Sequence, residues 1–415
     1  MAKQNVIWRR SGTEWVVRGA IAAALAALGY VSVVQTLAYS QKFTDVVHAH
    51  TLSPHDGRIT ALMAQQLAGV DATAADRLEA DRLARVALRQ DPTVVIAAST
   101  LGLNAQARGN IAAARRLFSY AATLSRRDLQ TQLWAIEDAV GRGDVKKALH
   151  HYDIALRTSR GAPDLLYPVM AAAIVNADVR DAMAHILAAR PPWGGFFIDF
   201  VSGNGGDARS TASLFLVLRR AGVPISDGAN ATMVNTLATH SSMADAWNYY
   251  AAIHPGVNRR TSRDGRFAAT GTPSLFDWVL IEEPGTIVSI QRGENGGVLD
   301  FAASSGIAGT LLRQVQLLPP GRYLLEGHSQ GIDQPAESRP YWTLTCRNNG
   351  RELGRVAMTN SAESNGRFSG VINLPIGCPE QILSLIARPS DAGSGMSGQI
   401  DQVKLRPIGA MGSNR

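Results

Sequence analysis

Ala80-Asp-Arg-Leu-Ala84-Arg-Val-Ala87, Ala114-Arg-Arg-Leu-Phe118-Ser-Tyr-Ala121, Ala148-Leu-His-His-Tyr152-Asp-Ile-Ala155 and Ala182-Met-Ala-His-Ile186-Leu-Ala-Ala189 repeat one pattern at a spacing of 34 positions. A small residue begins and ends each set, and three of the four carry a bulky apolar residue between them. A fixed period of this length marks a stacked array in which each unit buries its apolar face only against its neighbours. Gly109-Asn110 and Gly143-Asp144 precede two of the sets, echoed by Ala177-Asp178. Such pairs end one helix and start another, so the unit reads as helix, turn, helix.

The spacing, the alternation of small and large residues and Pro92 after the first unit resemble the tetratricopeptide repeat family, over about 130 of 415 residues. Gly102 matches the small residue of that family's first helix; Ile136 and Met170 stand at the corresponding later positions, and Arg126 and Arg160 replace the closing proline. The resemblance implies an α-solenoid whose first helices line a concave groove for a peptide or a partner helix. It would place Gln65, Leu103, Gln106, Glu137 and Tyr167 on that groove. The solenoid is expected over 58–254, with further helices at 211–221, 229–239 and 243–253. The Pro- and Gly-rich stretch 191–206 reads as a turn, since it lacks the lysine and hydroxyl of a phosphate-binding loop.

Before the array, no residue from Gly19 to Gln41 is charged. About 20 such residues cross a hydrocarbon core as a helix. Lys3, Arg9, Arg10 and Arg18 precede the run and keep a stub, 1–18, in the cytoplasm under the positive-inside tendency. The expected location is therefore the inner membrane, single-pass, with the bulk of the chain in the periplasm. Trp8, Trp15, Tyr30 and Tyr39 are candidates for the membrane interfaces. The competing reading is a signal peptide cleaved at Ala38-Tyr39-Ser40, releasing a soluble periplasmic lectin. Residues 42–57 read as a polar connector; His48, His50 and His55 lie there without a cysteine partner, and no metal is expected.

Helical patterning ends near Pro255, and 255–274 has the composition of a linker. Ten short runs follow, at 278–281, 286–291, 298–302, 311–318, 322–328, 341–346, 352–358, 366–374, 382–388 and 398–405, separated by turn signals such as Pro319-Pro320-Gly321. They predict an antiparallel β-sandwich over 275–408, with a tail at 409–415. Phe276-Asp277-Trp278, Leu318-Pro-Pro-Gly-Arg-Tyr-Leu-Leu-Glu-Gly327 and Gly398-Gln-Ile-Asp-Gln-Val-Lys-Leu405 make this region resemble galactose-binding-like jelly rolls, which include many carbohydrate-binding modules. In some of these an aspartate placed like Asp401 lies near a structural calcium; without an acidic cluster, a surface carboxylate is the expectation.

Trp278, Tyr341 and Trp342 are the aromatics that could stack on a sugar ring, with Arg388 and Gln402 as polar contacts; core packing is the alternative for each tryptophan. The only cysteines, Cys346 and Cys378, would form a structural disulfide outside the cytoplasm and remain thiols inside it. Gly327-His328-Ser329-Gln330-Gly331 has the form of a nucleophile elbow, the basis of a serine-hydrolase alternative. However, Pro335 and Pro340 follow where that turn needs a helix. Glu282 and Glu283 are adjacent and point to opposite faces of an extended chain, which excludes them as a catalytic pair.

The formal charge of +7 comes from arginines scattered over helix faces, without a lysine-rich run or basic strands interleaved with aromatics, so no nucleic-acid partner is expected. The chain thus reads as a membrane-anchored, non-catalytic adaptor without a cofactor. It would contact the bilayer through its first helix, proteins or peptides through the repeats, and polysaccharide or protein through the sandwich. Exopolysaccharide or envelope biogenesis is the process this layout suggests by analogy.

Overall fold

The computed structural model describes residues 12–293, 296–390 and 395–408. Lys3, Trp8, Arg9, Arg10 and the tail 409–415 lie outside the described residues. Among those described there are fourteen helices followed by ten strands. The chain divides into two compact units, one up to Leu166 and one from Tyr167, so the span 58–254 is not one body.

The first unit begins with α1 (Gly12–Gln41), of which Thr13–Gln41 is long and apolar enough to cross a membrane. Its end packs on α2 (Val46–Leu52), a helix where a connector was expected. The Asp45 side chain starts α2 by accepting from the His48 amide at 3.0 Å. Three helical hairpins follow: α3 (Gly57–Leu67) with α4 (Ala74–Gln90), α5 (Val95–Ala107) with α6 (Ile111–Leu124), and α7 (Leu129–Gly141) with α8 (Val145–Thr158).

The paired turn residues build two of these hairpins. Gly109 and Gly143 take φ of +75° and +71°, a left-handed conformation that suits glycine. This lets the Asn110 and Asp144 amides reach back to the carbonyls of Ala105 and Ala139, both at 2.9 Å. The Asn110 and Asp144 side chains then cap α6 and α8. Ala80, Ala84, Ala87, Ala114, Phe118, Ala121, Ala148, Tyr152 and Ala155 are all buried between helices.

The fourth set departs from the column. In α10 (Ala177–Ala188) the buried residues are Met183, Ala184 and Leu187, while Ala182 and Ile186 are partly exposed and Ala189 is exposed. One position of rotation moves a helix face by about 100°, and the partner has changed: α10 packs on α12 (Ala208–Arg220). It follows α9 (Ala162–Ala173). The expected turn at 191–206 instead holds α11 (Gly194–Asn204). Pro191 and Pro192 precede it, where their missing amides cost no helical bond, and Phe197, Ile198 and Val201 are buried. It packs on α13 (Asp227–His240), and α13 packs on α14 (Met243–Ile253).

All ten runs expected to be strands are strands: β1 (Val279–Leu280), β2 (Thr286–Gly293), β3 (Gly296–Ala303), β4 (Gly309–Gln316), β5 (Gly321–Gln330), β6 (Tyr341–Cys346), β7 (Glu352–Ala357), β8 (Arg367–Leu374), β9 (Gln381–Ala387) and β10 (Met396–Pro407). They form two antiparallel five-stranded sheets, ordered β1-β4-β9-β6-β7 and β2-β3-β10-β5-β8. Trp342, Leu344, Leu383 and Leu385 from the first sheet share one core with Leu299, Phe301, Leu325, Ile400, Val403 and Leu405 from the second. Cys346 and Cys378 form a disulfide with Cα atoms 5.7 Å apart.

The stretch 255–274 is not a free linker, because β10 needs it. β3 pairs with β10 only as far as Ile400, which leaves the following edge of β10 without a strand. Residues 262–265 supply partners: the Ser262 amide donates to Leu405 O, and the Val403 amide donates to Gly265 O, both at 2.9 Å. Arg263 is buried here over the Trp247 and Phe276 rings. Its Nε donates to Phe276 O at 2.8 Å and Nη1 to Gln316 Oε1 at 3.2 Å, while Nη2 donates to Val315 O. A buried guanidinium is tolerable only when its donors are satisfied in this way. Burial pulls its pKa down to about 10, against the opposing influence of Tyr250 and Asp277.

Candidate functional site

A polar concavity of the sandwich lies on the outer face of the β2-β3-β10-β5-β8 sheet. Alternation along the strands sends Leu299, Phe301, Ile400 and Val403 inward, and Ser289, Gln291, Asp300, Gln330 and Gln399 outward or part-exposed. The register aligns Ser289, Asp300, Gln399 and Gln330 across four neighbouring strands. Asp300 Oδ2 accepts from Gln291 Nε2 at 3.0 Å and from Gln399 Nε2 at 3.4 Å. These contacts hold two side-chain amides in place.

Between Ile400 and Gln402 the β10 register against β5 slips by one residue. A bulge of this kind turns consecutive side chains toward one face, and both Asp401 and Gln402 accordingly line the concavity. Arg266, Gln291, Arg292 and Gln399 complete its polar wall, around a depression of about 570 Å³. Gly297 contributes only backbone to it, since a Cβ there would stand 2.4 Å from Phe267 O on the inner side of the strand. Arg292 is held by donation from Nε to Ala269 O at 2.8 Å. Beside the depression, His328 Nδ1 sits 2.9 Å from Asp401 Oδ2. Further along the same strands, the Arg406 guanidinium holds the Glu326 carboxyl below the usual carboxylate range.

Of the residues expected to bind a sugar, the structure places only Gln402 here. Trp278 and Trp342 are buried in the sandwich core, with ring centroids 5.7 Å apart. Tyr341 and Arg388 belong to the other sheet and its loop, where Arg388 and Arg355 lie 4.7 and 4.1 Å from the Tyr341 ring centre. Sequence reasoning missed Gln291 and Gln399, whose outward facing follows from alternation alone. Arg266, Arg292 and Asp401 reach the depression through an ordered loop, a hairpin and the bulge, none of which has a period.

In the first unit, Gln65, Leu103, Gln106 and Glu137 line one groove of about 530 Å³, together with Arg77, Thr100 and Gln130. Tyr167 does not join them: it is buried in the second unit, donates its hydroxyl to Trp193 O at 3.1 Å and packs edge-on against Phe197. Ser329 is buried within β5, and its Oγ donates to Gly366 O at 3.2 Å. It stands in an antiparallel strand rather than on a strand-to-helix turn, and nothing presents it to a substrate. Glu282 and Glu283 are exposed. No group of three or more His, Cys, Asp or Glu side chains suited to a metal occurs among the described residues.

No protein-family model matches the sequence, and no curated protein matches it. Among solved structures, the C-terminal region is similar to a CBM4, at 14% identity over 35% of this chain and 99% of that one, with a TM-score of 0.27. It is also similar to a carbohydrate-binding module from Cellvibrio mixtus lichenase 5A in complex with cellotriose, at 12% identity over 32% and 98%, with a TM-score of 0.21. A third is a module from Clostridium stercorarium in complex with cellobiose, at 14% identity over 34% and 100%, with a TM-score of 0.21. The functional reading therefore rests on the side chains of this chain.

Proposed function

We propose that the protein is a membrane-anchored, non-catalytic adaptor that holds a polysaccharide on its sandwich and a partner protein on a tetratricopeptide-type array. The observation that carries the glycan part is the depression on the β2-β3-β10-β5-β8 sheet, with its amide, carboxylate and guanidinium groups around a shallow floor. Planar groups of this kind exchange paired hydrogen bonds with vicinal hydroxyls, and an open, shallow site suits a chain passing across it. The groove containing Gln65, Leu103, Gln106 and Glu137 would take the protein partner, as an extended segment or a helix.

The anchor reading is supported by the way α1 ends. Ala38, at the alternative cleavage site, is fully buried against the domain, and the Tyr39 hydroxyl donates to Asp56 Oδ2 at 2.8 Å. Cleavage there would remove packing that the folded domain uses. In this reading the bulk of the chain faces the periplasm, and the process served is exopolysaccharide or envelope biogenesis.

The test is affinity electrophoresis of the purified protein through neutral and acidic polysaccharides, with a Gln399→Ala/Gln402→Ala variant beside it. Retardation by at least one polysaccharide, reduced about tenfold or more in the variant, is expected from the loss of two hydrogen-bonding amides. Equal retardation of both proteins, or of neither, would overturn the site. A fluorophosphonate label that appears on the protein and is lost in Ser329→Ala would overturn the non-catalytic part.

A further inference from the structure

The link between α1 and α2 exposes a small apolar and aromatic patch. Phe43 is 79% exposed and Val47 is 50% exposed, four positions apart. Lys42 Nζ lies 4.5 Å from the Tyr39 ring centre and 5.0 Å from that of Phe43. A phenylalanine this open gains nothing from the fold around it.

Its place along the chain identifies what covers it. Arg18 is the last charge before the apolar run of α1. About 20 helical residues, rising 1.5 Å each, cross a hydrocarbon core of about 30 Å, so the helix leaves the core near Ala38. Yet the domain already grips α1 at this level. The Ser53 hydroxyl donates to Gln35 Oε1 at 3.3 Å, and Ala38 is buried with Ala49 and Ile59. The start of the domain therefore meets the bilayer surface directly, and Phe43 and Val47 fall within a few residues of the end of the span.

We infer that Phe43 and Val47 insert into the lipid interface next to α1, with the Lys42 ammonium at the level of the phosphates, so that α2 seats the domain on the bilayer. This rests on the reading of α1 as a membrane span. The occupant is lipid because the patch continues the exposed apolar surface of α1, most of whose side chains are uncovered by protein. An aromatic pair beside a lysine is the side-chain set that favours this boundary: the rings enter the acyl edge while the amine reaches water and phosphate.

The experiment uses full-length protein in vesicles of phosphatidylcholine and phosphatidylglycerol containing lipid spin-labelled near the head of the acyl chain. Single cysteines carrying an environment-sensitive dye replace Phe43, Val47, Leu28 in the middle of α1, or Val140 on α7, with the native disulfide left oxidised. All four positions are exposed, so each variant is expected to keep its helical circular dichroism. The dyes of Phe43→Cys and Val47→Cys should be quenched about threefold or more beyond that of Val140→Cys, as expected for burial at the headgroup boundary. If the Leu28→Cys dye is quenched by lipid labelled deep in the chain while that of Phe43→Cys behaves like Val140→Cys, the interfacial seat is overturned and the span stands. If the Leu28→Cys dye is not quenched, the span itself fails, and the seat with it.

Discussion

The three hairpins of α3 to α8 and the sandwich solve the same problem, burying apolar surface, with different sets of neighbours. In the hairpins each helix packs on the one that follows it, and contact residues recur at a spacing that turns repeat. In the sandwich, β10 lies between β3 and β5, and β9 lies between β4 and β6, so the core is assembled from chain positions far apart. Local packing leaves a period in the sequence. Distant packing leaves only alternation, which places a side chain on one of two faces without naming what it meets.

The contrast is broken most severely at Trp342, which is fully buried between the sheets. Trp342→Ala should cost about 3–5 kcal/mol through lost burial and a cavity. The sandwich should lose its cooperative transition in urea while far-ultraviolet circular dichroism still reports the helices of the first unit. Simultaneous loss of both signals would mean that the two units do not unfold separately.

The disulfide bears on the same comparison, since it crosslinks distant positions and the hairpins have no counterpart. Cys346 and Cys378 enclose a separation of 32 residues. Cys346→Ser/Cys378→Ser should lower stability by on the order of 3–4 kcal/mol, mainly by freeing the unfolded chain. A urea titration of the second unit with and without reductant measures this. Reductant should leave the first unit, which contains no cysteine, unchanged.

Within the hairpins, Gly102 sharpens the comparison by testing how closely the helices fit. A Cβ there would stand 2.7 Å from Phe118 Cε2, and Phe118 is pinned by stacking on Trp134 at 4.6 Å. Gly102→Ala should therefore destabilise the first unit by about 1–3 kcal/mol, read as a lowered thermal midpoint. No change would show that Phe118 has room to move.

The smallest effect expected is at Asp245, which accepts from the Ser241 and Ser242 hydroxyls and from Arg209 at the start of α14. The Ser242 hydroxyl, then the Ser241 hydroxyl and the Arg209 guanidinium, hold its carboxyl down from 3.8 to about 2. A depressed folded pKa contributes stability above the unfolded value, and this is lost as pH falls from about 4 through about 2. Because the site is partly open, solvent screening limits the contribution to about 1 kcal/mol. Asp245→Asn should lower the urea midpoint of the second unit at neutral pH, and the difference from wild type should shrink as pH falls toward about 2 and vanish only below it.

Tryptophans show where sequence reading stopped. Trp278 and Trp342 suit sugar stacking by residue type, yet both lie in the core; in β6, Trp342 alternates with Leu344 and Cys346, all three inward. That alternation was visible, but a five-residue pattern has two faces and no label for the buried one. Gln65, Leu103, Gln106 and Glu137 were named from the family resemblance, and they line one groove. Tyr167, named with them, does not, because it lies where the repeat meets the second unit and the packing partners change.

Periodicity by itself determined an apolar helix, a repeated helix-turn-helix unit, the later helices at 211–221, 229–239 and 243–253, and ten strands. Each of these follows from backbone geometry within a few residues. Tertiary structure alone decided the rotation of α10, the helix at 194–204, the order imposed on 262–265 by the open edge of β10, and the bulge that brings Asp401 and Gln402 to one face. All four depend on which surface arrives from elsewhere in the chain, and a local pattern does not record that.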